Sequence, residues 1–461
     1  MGARLTAALL AGRAAAAISR RLGLGGGTVL PGHLVPRIEP RALRTIVARL
    51  PEGTVFVSGT NGKTTTSRLI SAVLQAAGLR PLHNRAGANL LTGLVAAVVH
   101  STDLRGVPRA DVGVFEVDEA TLPLALQHAD PRVVVLTNLF RDQLDRYGEI
   151  AYVASLWEDA LRQLPAAATV VLNADDPMLA ALAERTAARV VTYGVEDRRV
   201  AEAESPHAVD ARLCPCGAPL RYSGYLYGHV GYYSCPRCGR ERPRPAVRAV
   251  AVHPLGTEGT DLAIETPAGH VEVRFPLPGL YNVSNALAAV ATAEALGLPV
   301  DAVARGLSSV HAAFGRLERV AVGGRKLFLA LVKNPVGFNE VLRTLLGTSG
   351  ALSLLIVIND RLADGTDISW LWDVDFELLA GRVETVVCSG IRAHDMALRL
   401  KYALVDTERI VVEEDVPRAL DLALGRLPEG ATLFVLPTYT AMLEVRQHLA
   451  NRGLVRRFWE D

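Results

Sequence analysis

The sequence has few cysteines and no excess of charge of either sign. Five cysteines in 461 residues are too few for a small secreted domain held together by disulfides. Lysine and arginine number 49, against 48 aspartates and glutamates, so the chain lacks the overall basic field that would indicate nucleic acid as its main partner. Because half of the residues are hydrophobic, we expect two or three domains with large cores.

The N-terminal region lacks an apolar run long enough to cross a bilayer. Residues 5–18 are alanine-rich and apolar, but Arg13 interrupts them. They show no small-residue cleavage site after a long apolar core, so we expect no signal peptide and a cytoplasmic protein. The arginines favour an amphipathic helix in a helical lead-in at residues 1–50. This helix could pack on the first domain or lie on a membrane surface, and the sequence leaves both open. The arginines are Arg4, Arg13, Arg20 and Arg21.

A glycine loop at residues 59–65 is the most informative stretch. It follows an apolar strand at residues 55–58 and precedes a periodic helix at 67–78. Backbone N–H groups, the helix dipole and a lysine together make an anion site, and a hydroxyl beside the lysine suits Mg²⁺. The general P-loop pattern has glycine where this chain has Val57, so only the shorter form is present. Its residues are Gly59, Thr60, Asn61, Gly62, Lys63, Thr64 and Thr65.

Further apolar runs alternate with predicted helices and favour a parallel α/β sheet. The predicted strands lie at residues 111–116, 132–138, 169–173 and 189–193. Ligands bind at the carboxyl ends of such strands, where this chain has polar residues. Glu116 is a candidate Mg²⁺ ligand within the cluster 116–119, and a polar segment follows the second strand. Asp175 follows the third strand. It could belong to the same ligand site, to a helix cap or to a solvated loop.

Four of the cysteines form two closely spaced pairs within residues 205–245. Each pair ends in a glycine, which is typical of a knuckle in a structural zinc ribbon. Four thiolates leave no open position for water, so we expect the zinc to be structural; a disulfide pair is the alternative. The fifth cysteine, Cys388, is predicted to pack in a core. The ligands would be Cys214, Cys216, Cys235 and Cys238.

Asn282 and Asn285 lie one helical turn apart and could present amide groups from one face. Beyond them, apolar strands near residues 326–331, 354–358, 385–388, 410–412 and 432–436 predict a separate C-terminal α/β domain. Four of the five cysteines belong to the predicted ribbon and Cys388 lacks the sequence context of a nucleophile, so we expect no cysteine nucleophile in this chain.

Taken in order, these motifs resemble the Mur ligase superfamily. The resemblance covers residues from about 50 to the C-terminus. It is carried by the loop 59–65, Glu116, residues 137–145 and 172–175, Asn282, Asn285 and the segment 315–318. Within the superfamily, the ribbon and the segments 333–339 and 364–373 resemble the MurT family, the ligase-like subunits of lipid II isoglutaminyl synthase.

The resemblance implies a Mur ligase-like central ATP-binding domain at residues 51–315 with an inserted zinc ribbon, and a Rossmann-like α/β domain at 316–461. It implies an ATP-dependent ligase subunit of peptidoglycan synthesis. The subunit would activate the α-carboxyl of D-glutamate in lipid II as an acyl phosphate, for amidation to D-isoglutamine. Ammonia would come from a glutaminase partner, GatD, in a heterodimer. Membrane contact would arise only through the lipid-linked substrate, at the inner face of the membrane.

The resemblance also implies roles for individual residues. Lys63 would hold the β and γ phosphates of ATP, and Thr64 and Glu116 would serve Mg²⁺. Asn282 and Asn285 would meet the adenine. Asp175 would lie near the nucleotide, Arg316 would reach phosphate, and an aspartate would complete the partner's Cys-His pair. The candidates for that aspartate are Asp373 and Asp367.

Two departures separate this chain from amino-acid-adding Mur ligases. Gln143 stands where those ligases usually have a histidine, and residues 150–164 contain no lysine for the usual carbamylated site. We therefore do not expect a second metal site of that type. An amino-acid-adding ligase of the Mur or folylpolyglutamate type is the main alternative. A zinc-ribbon scaffold with a degenerate nucleotide site is a third hypothesis.

Overall fold

The structure is a computed structural model that describes residues 2–21, 30–84, 88–141, 150–204, 209–310 and 316–455. The strands in these ranges are β1 (Thr54–Ser58), β2 (Pro81–His83), β3 (Val112–Glu116), β4 (Val133–Leu136), β5 (Thr169–Asn173), β6 (Arg189–Val195), β7 (Arg221–Tyr227), β8 (Val230–Ser234), β9 (Val247–Pro254), β10 (Thr260–Thr266), β11 (Gly269–Phe275), β12 (Arg316–Val322), β13 (Arg325–Ala330), β14 (Leu352–Val357), β15 (Val383–Ser389), β16 (Ile410–Val412) and β17 (Thr432–Pro437).

The α-helices of the same ranges are α1 (Gly2–Arg21), α2 (Leu30–Ile38), α3 (Ala42–Val47), α4 (Lys63–Ala76), α5 (Leu91–Ser101), α6 (Leu122–His128), α7 (Ile150–Arg162), α8 (Pro177–Leu182), α9 (Leu280–Leu296), α10 (Val300–Ser309), α11 (Pro335–Leu346), α12 (Ala393–Tyr402), α13 (Val416–Arg426) and α14 (Tyr439–Asn451). No helix among them is long and apolar enough to cross a membrane.

The first sheet has the strand order β11-β10-β9-β6-β5-β4-β1-β3-β2. Its strands from β9 to β2 pair in parallel, whereas β9, β10 and β11 pair antiparallel. In the register, Val57 of β1 lies beside Glu116 of β3, and Ser58 lies beside Leu136 of β4. The carboxyl ends of these three strands therefore meet at one edge, as the sequence predicted.

Helices cover both faces of this sheet because successive strand residues point to opposite sides. On one face, Val55 and Val57 pack with residues of α4, α9 and α10. On the other face, Phe56 packs with residues of α5, α6 and α7. The N-terminal helices join this second core through Leu9, Val35 and Ile46. The lead-in helices thus pack on the first sheet, which is one of the two alternatives that the sequence left open.

The second sheet has the order β12-β13-β17-β14-β15-β16, and every neighbouring pair except β12–β13 is parallel. α11 and α12 cover one face through residues such as Phe338 and Met396. α13 and α14 cover the other through residues such as Leu420 and Val445. This three-layer arrangement is the C-terminal α/β fold that the apolar strands predicted.

β7 and β8 form a separate two-stranded hairpin next to the four paired cysteines. Its tyrosines anchor it to the first sheet, since Tyr232 Oη donates to Val195 O at 2.9 Å and Tyr233 Oη donates to Ala174 O at 3.2 Å. The hairpin turn lies at Gly228. A Cβ atom there would come within 2.9 Å of Phe140 and 3.2 Å of Val336. The turn therefore packs between Phe140, which follows β4, and Val336 of α11.

Candidate active site

The glycine loop follows β1 and runs into α4, and it requires glycine at two positions. Gly59 and Gly62 have φ values of +142° and +83°. A Cβ atom on Gly59 would lie 2.0 Å from Thr137 Oγ1, and one on Gly62 would lie 2.0 Å from Asn285 Oδ1. α4 begins at Lys63, four residues earlier than the periodicity predicted. The first N–H groups of α4 and the positive end of its dipole therefore lie within the loop.

Lys63 is buried within this loop among carboxylates. Its Nζ donates to Glu119 Oε2 at 2.9 Å and to Gly59 O at 2.5 Å. Burial by itself lowers the pKa of Lys63, but the charges of Glu119 and Glu116 outweigh burial and raise the pKa above its usual value. The ammonium is therefore charged at physiological pH and can hold an anion. The sequence missed Glu119 as its direct partner because the cluster 116–119 offered several carboxylates.

Thr64 and Glu116 meet as the sequence implied for a magnesium site. Thr64 Oγ1 donates to Glu116 Oε2 at 2.6 Å. Asn89 Nδ2 approaches Glu116 Oε1 at 3.4 Å, and Asn84 bonds both backbone polar groups of Glu116. A hydroxyl and a carboxylate side by side beside a helix N-terminus suit a hard cation with oxygen ligands. The residues present thus fit Mg²⁺, with Asn84 fixing the strand end from which Glu116 projects.

Asn282 and Asn285 lie on the first turns of α9 and line the same cavity as the loop. Asn285 Nδ2 donates to Asn282 Oδ1 at 3.2 Å, and Asn285 Oδ1 accepts from Thr66 Oγ1 at 3.2 Å. The cavity continues to the C-terminal sheet. The side of the first sheet contributes Thr60, Asn61, Thr64, Thr65, Arg68, Glu116 and Tyr281, and the C-terminal side contributes Leu317, Lys333 and Gly337.

Two contacts join the loop to the start of α11. Asn61 and Asn334 exchange side-chain hydrogen bonds of 3.3 and 3.0 Å, and Lys333 Nζ donates to Thr60 O at 3.1 Å. The sequence singled out residues 333–339 only as a family feature and gave none of them a role at the loop. Arg68 and Tyr281 were also missed, because nothing in the local sequence points them towards the loop.

Asp175 is not among the residues that line this cavity. It is fully buried, with Oδ1 accepting from Arg242 Nε at 2.7 Å and Oδ2 accepting from Val195 N at 2.9 Å. Burial raises the pKa of Asp175 to about 6, because desolvation outweighs the ion pair with Arg242. Both oxygens hold the edge of β6 and the segment after β8. Its place near a bound nucleotide stays a prediction.

Some expected site residues lie outside the described part of the chain. Gln143 and Asp145 belong to residues 142–149, which the structure does not describe. β12 begins at Arg316, but the side chain of Arg316 is also outside the described part.

The acidic loop after β14 surrounds a second, smaller cavity that shares Lys333 with the first. Asp373 Oδ2 accepts from Arg141 Nη2 at 2.7 Å, and its side chain is 43% exposed. Asp367 instead accepts from the backbone N and the Oγ of Ser369 in its own loop. Of the two aspartates, Asp373 is thus the one held by another segment of the chain, through Arg141.

The four paired cysteines converge into one cluster. All four Sγ atoms lie within 4.8 Å of one another, and the closest cross-pair distances are 3.5 and 3.6 Å. Sulfur ligands on a tetrahedral zinc with bonds of about 2.3 Å lie about 3.8 Å apart. Gly217 and Gly239 turn the two knuckles with φ values of +82° and +74°. The cluster therefore fits zinc, and all five cysteines are free thiols in the structure, not the disulfide alternative.

Two protein families match this chain, one in each half of the sequence. The Mur ligase middle domain family matches residues 57–212, and the MurT ligase C-terminal family matches residues 331–442. The MurT subunit of lipid II isoglutaminyl synthase (glutamine-hydrolyzing) from Streptococcus pneumoniae is 33% identical over 460 residues, which cover 99% of each chain.

Two solved structures share the fold. The pseudomurein peptide ligase type C from Methanothermus fervidus has a TM-score of 0.65 at 22% identity, covering 87% of this chain and 78% of its own. The MurF ligase from Thermotoga maritima, solved in complex with ADP, has a TM-score of 0.62 at 14% identity, covering 90% and 84%. Given the near-complete overlap with the pneumococcal protein, the chain belongs to the family of MurT subunits of lipid II isoglutaminyl synthase.

Proposed function

We propose that this chain is the ATP-dependent ligase subunit that prepares the α-carboxyl of D-glutamate in lipid II for amidation. The observation that carries the proposal is one cavity lined by Lys63, Thr64, Glu116, Asn282 and Asn285. Its support from outside the chain is the near-full-length similarity to a named MurT subunit. A nucleotide phosphate site, a fitting magnesium pair and paired amides in one cavity are what such a ligase needs.

The chemistry explains why ATP is required. A carboxylate does not react with ammonia because its oxygen is a poor leaving group. A carboxylate oxygen attacks the γ phosphorus of ATP, ADP departs, and an acyl phosphate forms. Ammonia then attacks the acyl carbon, the nitrogen loses a proton, and phosphate leaves with the former carboxylate oxygen. The products are the amide, ADP and phosphate.

The residues of the cavity contribute electrostatics and position. Lys63 and the N-terminus of α4 would hold the transferring phosphates, with phosphate oxygen replacing Glu119 as the partner of Nζ. Mg²⁺, held by Thr64 and Glu116, would offset the charge of the phosphates. Asn282 and Asn285 would bond the adenine edge, since their amides are already oriented by each other and by Thr66.

The nitrogen has to come from outside this chain. Four of its cysteines belong to the cluster, and Cys388 is fully buried in the core of the C-terminal domain. Burial raises the pKa of Cys388 to about 12, so this thiol is not a thiolate nucleophile near neutral pH. A glutaminase partner of the GatD type would supply ammonia, as the designation of the pneumococcal relative as a subunit supports.

The surface around Asp373 suits such a partner. Trp372, Leu398 and Tyr402 are exposed by 55%, 47% and 65%, and the rings of Trp372 and Tyr402 lie 5.8 Å apart. Clustered exposed aromatics are typical of protein interfaces. We assign Asp373, rather than Asp367, to the partner's Cys-His pair because Asp373 lies directly beside the exposed Trp372 of this surface. The shared Lys333 connects this region to the ATP cavity.

Purified chain incubated with ATP, detergent-solubilised lipid II and ammonium tests the proposal. Mass spectrometry should show a product lighter by about one mass unit, as expected for replacing OH by NH₂, with one ADP released for each amide. If ADP release depends on an added amino acid and ammonium has no effect, the chain is an amino-acid-adding ligase. No product and no ADP, with or without a glutaminase partner, would exclude the proposal.

A further inference from the structure

The N-terminal helix α1 is apolar on two opposite faces, and the described part of the chain buries one of them. Leu5, Ala8 and Leu9 are buried against the core of the first sheet. The opposite face carries apolar side chains at spacings of three and four residues and is exposed, with Leu10 at 51% and Ile18 at 56%. A helix that is apolar all round normally needs a second apolar neighbour. The exposed stripe consists of Ala3, Ala7, Leu10, Ala14 and Ile18.

The region that carries this stripe is strongly basic although the chain as a whole is nearly neutral. Residues 1–50 contain eight arginines and one glutamate, whereas the whole chain has a formal net charge of +1. The exposed arginines include Arg37 in α2, Arg41 in the turn after α2, and Arg44 in α3. The positive charge is therefore concentrated in one helical layer, and the remaining residues are on balance acidic.

The arginines of α1 lie on both sides of the stripe. With 100° between successive helical residues, Arg4 and Arg13 fall about 90° to either side of the stripe's centre. Arg4 Nη2 donates to Ile38 O at 3.0 Å, which places the basic end of α2 beside the start of α1. Arg13 is turned inward, with Nε bonded to Val99 O at 3.4 Å. An apolar stripe with a basic margin, formed here by Arg4 and the neighbouring basic end of α2, is typical of helices that lie in a membrane interface.

We propose that α1 docks the protein on the surface of an anionic membrane, with the stripe of residues 3, 7, 10, 14 and 18 entering the interface. A second copy of the chain is a poorer occupant because it would bring two strongly basic layers together. Anionic lipid headgroups complement the same charge, because they attract basic side chains near the membrane surface. With its 20 residues, α1 is about 30 Å long and lies on the surface without spanning it.

Docking through α1 would add a direct contact between the protein and the membrane. This contact is additional to the membrane contact through the lipid-linked substrate that the sequence implied. The proposal does not depend on the proposed function, because it concerns vesicles that contain no substrate.

Co-sedimentation of the full chain with vesicles tests the docking. Vesicles of phosphatidylcholine alone should bind little protein, and added phosphatidylglycerol should increase binding at least tenfold. Raising the salt concentration from about 0.1 to 0.5 M should reverse that increase. The double variant Leu10→Ser/Ile18→Ser should bind anionic vesicles about tenfold less or weaker still, since it removes the two largest side chains that enter the interface.

The matched control is Leu124→Ser, which changes a leucine that is 44% exposed on α6 and should leave vesicle binding unchanged. Unfolding temperatures of all variants show whether each is folded, and ammonium-dependent activity on detergent-solubilised lipid II should be unaffected by Leu10→Ser/Ile18→Ser. Equal binding of wild type and double variant would overturn the proposal. So would a concentration-dependent dimer that the double variant abolishes, or binding to a nucleic acid in preference to the anionic vesicles.

Discussion

Asn61 of the glycine loop and Asn334 at the start of α11 exchange two side-chain hydrogen bonds across 273 positions of sequence. Asn61 lines the ATP cavity and Asn334 lines the neighbouring smaller cavity, so this amide pair joins the segment after β1 to the segment before α11 between the two cavities. Asn334 Oδ1 also accepts from Gly337 N at 2.9 Å and caps α11. The orientation of α11 is therefore coupled to the conformation of the phosphate loop.

The coupling can be measured with a double-mutant cycle. Asn334→Asp keeps the acceptor that caps α11 but removes the amide donor to Asn61. We expect Asn61→Ala and Asn334→Asp to be non-additive in the free energy of unfolding by about 1 kcal/mol, the net value of an ordinary intramolecular hydrogen bond. Urea denaturation of the four proteins measures this. Additive effects would mean that the pair contributes no coupling.

Lys63→Ala should abolish ATP turnover. The substitution removes the only full positive charge on the glycine loop and leaves Glu119 without its partner at 2.9 Å. We expect the rate of ADP formation to fall at least ~100-fold, as for the loss of a group that stabilises developing charge. Lys326→Ala, at an exposed position of β13, is the control and should retain the wild-type rate. Near-normal turnover in Lys63→Ala would support the scaffold hypothesis.

Asp373→Asn should impair amidation with glutamine and leave amidation with ammonium intact. In the presence of the glutaminase partner, glutamine-dependent amidation should fall at least ~100-fold, because a neutral amide cannot stabilise a protonated histidine. Amidation with added ammonium should remain within about twofold of wild type, since Asp373 does not line the ATP cavity. The comparison variant is Asp367→Asn. Loss of glutamine use in that variant alone would reassign the role to Asp367.

Cys235→Ser should release the zinc. Three thiolates and a hydroxyl form a weaker site than four thiolates, so metal content should fall from about one zinc per chain to well below that. The unfolding temperature should fall with it, because the knuckles have almost no core of their own. Cys388→Ser, a change in the C-terminal core, should keep its zinc. Atomic absorption and thermal unfolding report both quantities, and retained zinc in Cys235→Ser would argue against the four-thiolate site.

Glu340 of α11 should make stability depend on pH. Burial raises its pKa to about 7, against the opposing charge of Arg343. The folded chain therefore holds this proton more tightly than the unfolded chain, and its contribution to stability is complete below about pH 4.5. The contribution is lost as pH rises through about 7, by about 3 kcal/mol in all. Glu340→Gln should flatten this part of the curve of unfolding free energy against pH.

The control for Glu340→Gln is Glu384→Gln, at an exposed position of β15, which should leave the curve unchanged. Urea unfolding at pH 5 and pH 8 distinguishes the two variants. If both follow the wild-type curve, the carboxyl of Glu340 does not hold the proton that the structure assigns to it.

The local parts of the site were predictable, and the parts that depend on domain packing were not. The glycine loop, Thr64, Glu116 and the paired asparagines follow from strand ends and helical spacing, which are short-range patterns. Asn334 and Lys333 reach the loop only because the two domains pack together, and no local pattern encodes that. Asp175 pairs with Arg242, which lies in a distant segment of the sequence. The sequence alone showed only that Asp175 follows a strand.

The antiparallel edge of the first sheet was missed for a different reason. β10 alternates buried and half-buried residues, β11 alternates buried and exposed ones, and a short turn joins the two strands. The sequence contains this period-two pattern. Because the earlier strands predicted a parallel sheet, β10 and β11 were not predicted. Helix α4 was predicted to start at residue 67 because the threonines after Lys63 are not apolar, whereas the left-handed Gly62 starts the helix at once.

The turn at Gly228 has a consequence for how this chain can change over time. Because the turn is packed between Phe140 and Val336, the ribbon is not a detachable insertion, although its composition makes it look like one. A larger residue at position 228 would have to be matched by smaller ones at 140 or 336, which lie in two other parts of the fold. Substitutions at position 228 are thus constrained by packing against two other parts of the fold, and a ribbon with a larger residue there would clash with both.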